Sequence, residues 1–193
     1  MFNSMFESPK DAFNYLEEYA NSSGVRSICA IVLDDPRFKT WSGSSKPHQH
    51  HYGDHGLVIH TAEVVKLCLK NNDLYYTTPN KINERKLFLA ALFHDAGKMW
   101  DYELNAFKEW QGTPHKRHIH HISRSNMVWC ETAIVHKLDN DLKDEISHAI
   151  LAHHGLREWG SPVSPNTRLA WMVHLCDGIS ARMNDADKWD QVK

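Results

Sequence analysis

Cysteine is scarce in this chain of 193 residues. Cys29, Cys68, Cys130 and Cys176 are the four present, and no two of them form a CxxC pair. That spacing argues against a disulfide framework, and the mostly apolar surroundings read as reduced core thiols of a cytosolic protein. No apolar run approaches the roughly 18 residues that would span a bilayer. The N-terminus, MFNSMFESPKD, has no charged segment followed by an apolar one, so no signal peptide is expected. An excess of basic charge is also missing. The net charge is −2 with 24% charged residues, which argues against a protein held on duplex DNA mainly by charge. A phosphate-bearing substrate gripped by a metal and a few local cations is still allowed. Internal repeats and a Gly/Ser/Pro linker that would divide the chain are absent as well, so one domain is expected.

Histidine, by contrast, is abundant. The chain has 15, spread from His48 to His174 rather than gathered in a terminal tag. Histidine is the commonest metal ligand and titrates near neutral pH. The periodicity around these residues is helical almost throughout. Ser8-Pro9 reads as an N-cap with proline at the first helical position, opening a helix to about Ala20. Val25 to Leu33 is an apolar run compatible with helix or buried strand. Asp34 to Gly56 is rich in Gly, Ser, Pro and His, and loops of that length are usually functional or disordered. An amphipathic helix is expected from Leu57 to about Lys70, and a second helix from about Asn83 to Asp95. Met99 to Pro114 is aromatic-rich and irregular. A third helix opens near His121 with Met127, Cys130, Ile134 and Leu138 on one stripe, and a fourth covers Leu142 to His153. Ser164-Pro165 reads as the start of a last helix with the stripe Leu169, Met172, Cys176, Ile179 and Met183. The expected fold is all-α, a helical bundle. It divides into an N-terminal helical extension and loop over residues 1–46 and a core over residues 47–193.

Polar residues interrupt these apolar helices at several points. HGLVIHT places His60 within a helix, and FHDAGK places His94, Asp95 and Lys98 at the end of one. HKRHIHHISRS brings His115, His118, His120 and His121 beside Arg117 and Arg124. ILAHHG ends a helix on His153 and His154, and MVHLCDGIS sets Asp177 among Leu, Cys and Ile. A buried carboxylate without a partner costs several kcal/mol, so Asp95 and Asp177 call for a cation or for donors. One shared divalent ion would satisfy groups arriving from several helices, which is how bundles build metal sites. Nitrogen and oxygen ligands without thiolate suit Mn, Fe, Co, Ni or Zn, with Mg a further candidate. The ligand count exceeds what one ion needs, so two ions are expected.

In their order, GLVIHT, FHDAGK, the central histidine segment, HHG and the late Asp177 resemble the HD-domain phosphohydrolases, over about residues 47 to 183. The pattern is nearest the subset with extra histidines, which includes YhaM-type 3′–5′ exoribonucleases and HD-GYP-type phosphodiesterases. KPHQHHYGDHGLVIHT also resembles the entry of the YhaM type and of HD-type relaxases. The resemblance implies one ion on His60, His94, Asp95 and Asp177. It implies a second on His121 (with His118 and His120 as contenders), His153 and His154, with Asp95 bridging. Two departures stand out. LREWGSP follows HHG where a GYP would stand, and residues 1–46 do not resemble an OB-like nucleic-acid-binding domain.

The expected activity is metal-dependent hydrolysis of a phosphodiester in a nucleotide or single-stranded nucleic acid, with 3′–5′ exonuclease action as one form. The alternative is a nucleotide- or nucleic-acid-binding module without turnover. Asp95 and Lys98 are the expected catalytic residues. Lys98 is either a partner for a phosphate oxygen or an ordinary cation at a helix C-terminus. Lys98, Arg117, Arg124 and His118 are the candidate substrate contacts, the two arginines by bidentate clamping or else as surface residues. Trp100, Tyr102 and Trp110 either stack on a base or fill the core. No membrane partner is expected, the location is cytoplasmic, and the oligomeric state is left open.

Overall fold

Helix starts in this chain are set by side chains that take up backbone N–H groups the first turn leaves without carbonyl partners. In the computed structural model, which describes residues 4–44, 46–47, 51–75, 77 and 79–183, Ser8 accepts from the N–H of Asp11 and opens α1 (Pro9–Ser22) with proline at its first position. Asp35 does the same for α3 (Pro36–Thr40), Asn83 for α5 (Glu84–Phe93) and Asp139 for α9 (Asn140–Ala152). The ambiguous run after Val25 is helix α2 (Arg26–Leu33). The expected long helix α4 runs from Gly56 to Tyr75, beyond the Lys70 read from the sequence. The remaining helices are α6 (Lys98–Asp101), α7 (Pro114–His118), α8 (His121–Val135) and α10 (Arg168–Met183). Within the segment expected to be irregular, β1 (Tyr102–Leu104) and β2 (Trp110–Gly112) form an antiparallel hairpin with Glu103 opposite Gln111. All-α is the fold class, with this small hairpin as an appendage.

Helix α4 is the axis of the bundle. It packs against α1, α3, α5 and α10, and α5 in turn packs on α8 and α9. Enclosure on so many sides explains why residues 56–65 are all buried, where the sequence pattern predicts an amphipathic helix. Leu87 to Phe93 of α5 are likewise buried, at most 2% exposed. A helix that is apolar all round belongs inside, and each large side chain there contributes roughly 1.5–3 kcal/mol. Cys29, Cys68 and Cys176 lie in this core as free thiols.

Two expectations are corrected. The stripe read on α8 is not its buried face: Met127 is 43% and Ile134 69% exposed and Cys130 only half-buried, while Ile122, Val128, Trp129 and Ala133 are buried. Leu138 lies past the end of α8, and the true buried face is continued by Ser125 and Thr132, small polar residues that the apolar pattern does not flag. The last helix begins at Arg168 rather than Pro165, with the Thr167 hydroxyl accepting from the N–H of Ala170. Leu169, Met172 and Cys176 are buried as expected, but Ile179 and Met183 are exposed.

The long segment before α4 is tied down. Trp41 donates from Nε1 to the carbonyl of Tyr102 at 2.8 Å, and Gly43 donates its N–H to His51 O at 2.9 Å. Residues 48–50 of the His-rich run and residues 184–193 of the expected core lie outside the described residues. Among the described residues, no helix is long and apolar enough to cross a membrane.

Candidate metal centre

Imidazoles arrive at one place from three helices and a helix start. His60 lies inside α4, His94 caps the C-terminus of α5, His121 is the first residue of α8, and His153 caps α9. All four are buried, His121 at 5% exposure and the others at 0%. Asp95 follows His94 in the turn to α6, and Asp177 enters from α10. Gly97 makes that turn possible. A Cβ on it would sit 2.2 Å from His121 O, and its N–H donates to Ser125 Oγ at 2.8 Å. Only a residue without a side chain lets α8 approach closely enough to bring His121 to Asp95.

Hydrogen bonds fix the tautomers. The Nδ1 atoms of His94 and His153 lie 2.7 Å from the carbonyls of Ala91 and Ile150. A carbonyl only accepts, so each Nδ1 carries the proton and each Nε2 presents a lone pair. His121 Nδ1 faces Asp101 Oδ2 at 3.2 Å, and the same carboxylate oxygen accepts the His121 backbone N–H at 3.1 Å. His60 Nδ1 is 3.0 Å from Ser180 Oγ, and that hydroxyl donates to Glu63 Oε2 at 2.7 Å. The hydroxyl therefore accepts from His60 Nδ1. Oriented imidazoles with an outer partner on the far nitrogen are the usual support of metal ligands.

Asp95 stands between two groups of nitrogens. Its Oδ2 is 3.2 Å from His60 Nε2 and 3.3 Å from His94 Nε2, while its Oδ1 is 3.5 Å from His121 Nε2 and 3.6 Å from His153 Nε2. Asp177 Oδ1 completes the first group at 3.0 Å from His60 Nε2, and His154 completes the second with Nε2 3.3 Å from that of His121. In each group, His60–His94–Asp95–Asp177 and His121–His153–His154, one ligand atom per residue lies within 4.8 Å of all the others. Two ligands about 2.1 Å from a common ion sit about 3.0–3.4 Å apart, so the spacing fits a divalent cation. Among the described residues, Asp95 Oδ1 and His153 Nε2 are buried without a hydrogen-bond partner. That is the state in which ligand atoms are expected when their real partner is an ion.

The electrostatics agree. Burial pushes the Asp177 and Asp95 carboxyls up, yet their neighbours hold both well below the usual range: His60 above all for Asp177, Lys98 and the histidines for Asp95. Burial lowers His60, but Asp177 and Asp95 more than reverse it and raise it to about 9. Without an ion, a proton on Nε2 bridges the carboxylates. Burial depresses His121 to about 4, despite Asp101, and His154 to about 2, helped by His153 and His121. Both shifts disfavour a proton on His121 and His154, leaving their imidazole nitrogens open as ligands. Lys98 Nζ lies 2.6 Å from Asp95 Oδ2, and this pairing keeps the buried ammonium charged.

A cavity of about 590 Å³ opens on this centre. Asp95, His121, His154 and Asp177 line it, with Lys98, Tyr102 and Lys116 on its walls. The other expected substrate contacts are not brought there. Arg124 donates from Nε to His115 Nε2 at 3.1 Å and lies 5.3 Å over the Trp100 ring. Arg117 lines a separate cavity of about 390 Å³ with His120, and His118 is exposed on α7. Trp110 is buried and donates to Asp54 at 3.0 Å, while Trp100 is flanked by Arg37 and Arg124, so of the three aromatics only Tyr102 faces the cavity. Sequence reasoning passed over Asp101, which holds both His121 and His115, and the Ser180–Glu63 pair behind His60. It also passed over Trp159, His174 and Arg182 in the cavity wall. A carboxylate within MWD and an exposed-type Trp in LREWGSP were the available signals.

The sequence pattern that defines the HD domain matches residues 57–182. The chain is 32% identical over 182 residues to the 3′-5′ exoribonuclease YhaM of Listeria welshimeri, covering 94% of this chain and 56% of that protein. It is 30% identical over 175 residues to the protein of that name from Bacillus subtilis (90% and 53%). To that of Shouchella clausii it is 26% identical over 184 residues (94% and 56%). The chain thus spans about half the length of these curated relatives, and no solved structure matches it significantly. With the family pattern covering the helices that carry all the clustered ligands, the chain belongs to the HD-domain family, the metal-dependent phosphohydrolases that its ordered motifs resemble.

Proposed function

We propose that this chain hydrolyses phosphodiesters of single-stranded RNA from the 3′ end, with two divalent ions held by the clustered ligands. Asp95 carries the reading. Its two oxygens face different nitrogen groups, and one of them is buried without any other partner. In this reading His60, His94, Asp95 and Asp177 hold one ion, and His121, His153 and His154 hold the other, with Asp95 shared. The oxygen–nitrogen donor set suits Mn, Fe, Co, Ni or Zn, with Mg also a candidate. Ions bound there supply water activation at neutral pH and neutralise phosphate charge. The chain's own residues do the rest. Asp101, Ser180 and the two backbone carbonyls keep the imidazole lone pairs aimed inward, and buried Lys98 presents a permanent cation beside Asp95. Lys116 and Arg182 are further cations on the cavity wall.

The curated relatives are named as 3′-5′ exoribonucleases, which supports RNA over cyclic dinucleotides or mononucleotides. The full set of ligands disfavours binding without turnover. Residues 47–193 form the catalytic core in this reading, and the preceding extension braces α4 through α1. Protein grown in metal-rich medium is expected to retain about two transition-metal ions per chain by elemental analysis. It is also expected to shorten end-labelled single-stranded RNA, releasing mononucleotides. Asp95→Ala is expected to abolish both properties. A metal-replete wild type that leaves RNA, DNA, cyclic dinucleotides and dNTPs intact would overturn the reading.

A further inference from the structure

Part of the cavity wall is aromatic and exposed. Trp159 belongs to the short 3-10 turn Arg157–Trp159 that follows the HHG motif, and it is 61% exposed although it lines the cavity. Leaving so large an apolar ring to water forgoes much of its burial energy. Its position is nevertheless set. The ring lies 5.9 Å from that of His174 at an interplanar angle of 32°, and His174 Nδ1 donates to the carbonyl of His153 at 2.8 Å. Both rings press on Gly155, where φ is +95° and a Cβ would meet His174 Cε1 at 2.5 Å and Trp159 Cε3 at 2.8 Å. The glycine after the paired histidines therefore seats an ordered aromatic pair beside the metal ligands.

One turn beyond His174 on α10 comes Gly178, which also lines the cavity. A glycine in a helix interior destabilises it relative to alanine. Among the described residues no neighbour requires one, since a Cβ at Gly178 would meet nothing within 4 Å. The space this glycine leaves open on the cavity wall is space for a ligand. Ala181 continues the same low wall, and Arg182 stands at its end.

We propose that Trp159, His174 and Gly178 form a base-binding subsite, which takes the unstacked 3′-terminal nucleobase of the RNA whose phosphate reaches the metal centre. The assignment rests on the phosphohydrolase reading for the position of that phosphate. An aromatic face with a flat, side-chain-free floor stacks any base and reads none of its edges, so the subsite favours single strands without sequence preference.

The test measures affinity by fluorescence anisotropy in Mn²⁺, using a short single-stranded RNA with phosphorothioate linkages and the same strand carrying an abasic 3′-terminal nucleotide. Trp159→Ala is expected to weaken binding of the intact strand by about 5- to 150-fold and to leave the abasic strand unchanged, with Trp159→Phe in between. Gly178→Ala is expected to raise Tm by about 1–4 °C and yet to weaken the intact strand, because its methyl fills the floor. Equal effects on both strands, or an unchanged affinity for the intact strand in either alanine variant, would overturn the subsite, as would a wild type that does not prefer the intact strand. A wild type that prefers the intact strand but never hydrolyses its unmodified form overturns the phosphohydrolase reading and leaves the subsite standing.

Discussion

A single hydroxyl shows how much of this centre depends on groups that never face the cavity. Ser180 is 3% exposed and joins His60 to Glu63, and Glu63 Oε2 also accepts from His51 Nε2 at 3.0 Å. Removing the hydroxyl takes away the acceptor that orients His60 Nδ1–H. Ser180→Ala is therefore expected to weaken metal binding by about 10–100-fold, read by calorimetric titration, with far-ultraviolet circular dichroism unchanged. An unchanged affinity would refute the role given to Ser180. The candidate ligands were legible at this scale: His60, His94, Asp95, His121, His153, His154 and Asp177 are the residues the motifs singled out, and they come together in groups that could hold a metal. Their supports were not, because Ser180, Glu63 and Asp101 are ordinary residue types at positions where only the fold shows what they touch.

At the scale of elements, the contact between α6 and α8 decides whether the two nitrogen groups share Asp95. Gly97 has a φ of −63°, which any residue adopts, so its role is one of space alone. Alanine would place a methyl against His121 O and Ser125 N, both backbone atoms that cannot swing away. Gly97→Ala is expected to cost about 1–3 kcal/mol of stability in denaturant titrations and to lower the metal content of the purified protein. A variant with wild-type stability and full metal content would show that α8 can retreat without consequence. The helix start at Ser8 was readable because a capping side chain is a local signal, and the start of α5 was placed near Asn83, but α9 starts at Asn140 behind the Asp139 cap and not at the expected Leu142. The buried face of α8 and the late start of α10 were not readable. Which face of a helix is buried depends on neighbours far away in sequence, and Ser125 and Thr132 are buried where an apolar pattern looks past them.

For the whole molecule, the titrating groups give pH dependences of opposite sense. Burial raises the Glu63 carboxyl, but hydrogen bonds from His51, Ser180 and Ser4 outweigh it and bring it to about 2. A depressed carboxyl contributes stability above its unfolded pKa of about 4.3 that is lost as pH falls toward about 2. Acid denaturation of Glu63→Gln is therefore expected to be less steep over that window than that of the wild type, measured by tryptophan fluorescence. His60 runs the other way. Raised to about 9, it stabilises the metal-free protein fully below about 6.5, and the contribution fades as pH rises through about 9. A metal ion must displace that proton, so affinity for Mn²⁺ is expected to rise between about pH 6.5 and 9, with proton release seen in buffers of different ionisation enthalpy. Affinity that does not change with pH would contradict it.

The chain alone determined that the protein is helical, that its histidines and two buried carboxylates belong to one metal-binding pattern, and which family that pattern marks. These follow from local periodicity and from the cost of burying charge, both written in residue type and spacing. Only the tertiary structure decided that His121, and not His118 or His120, joins His153 and His154, that Arg124 supports His115 instead of the cavity, and that Trp159 lines the cavity wall. Those outcomes depend on distances between helices, and such distances are set by close contacts like that of Gly97 against α8, which no single segment encodes.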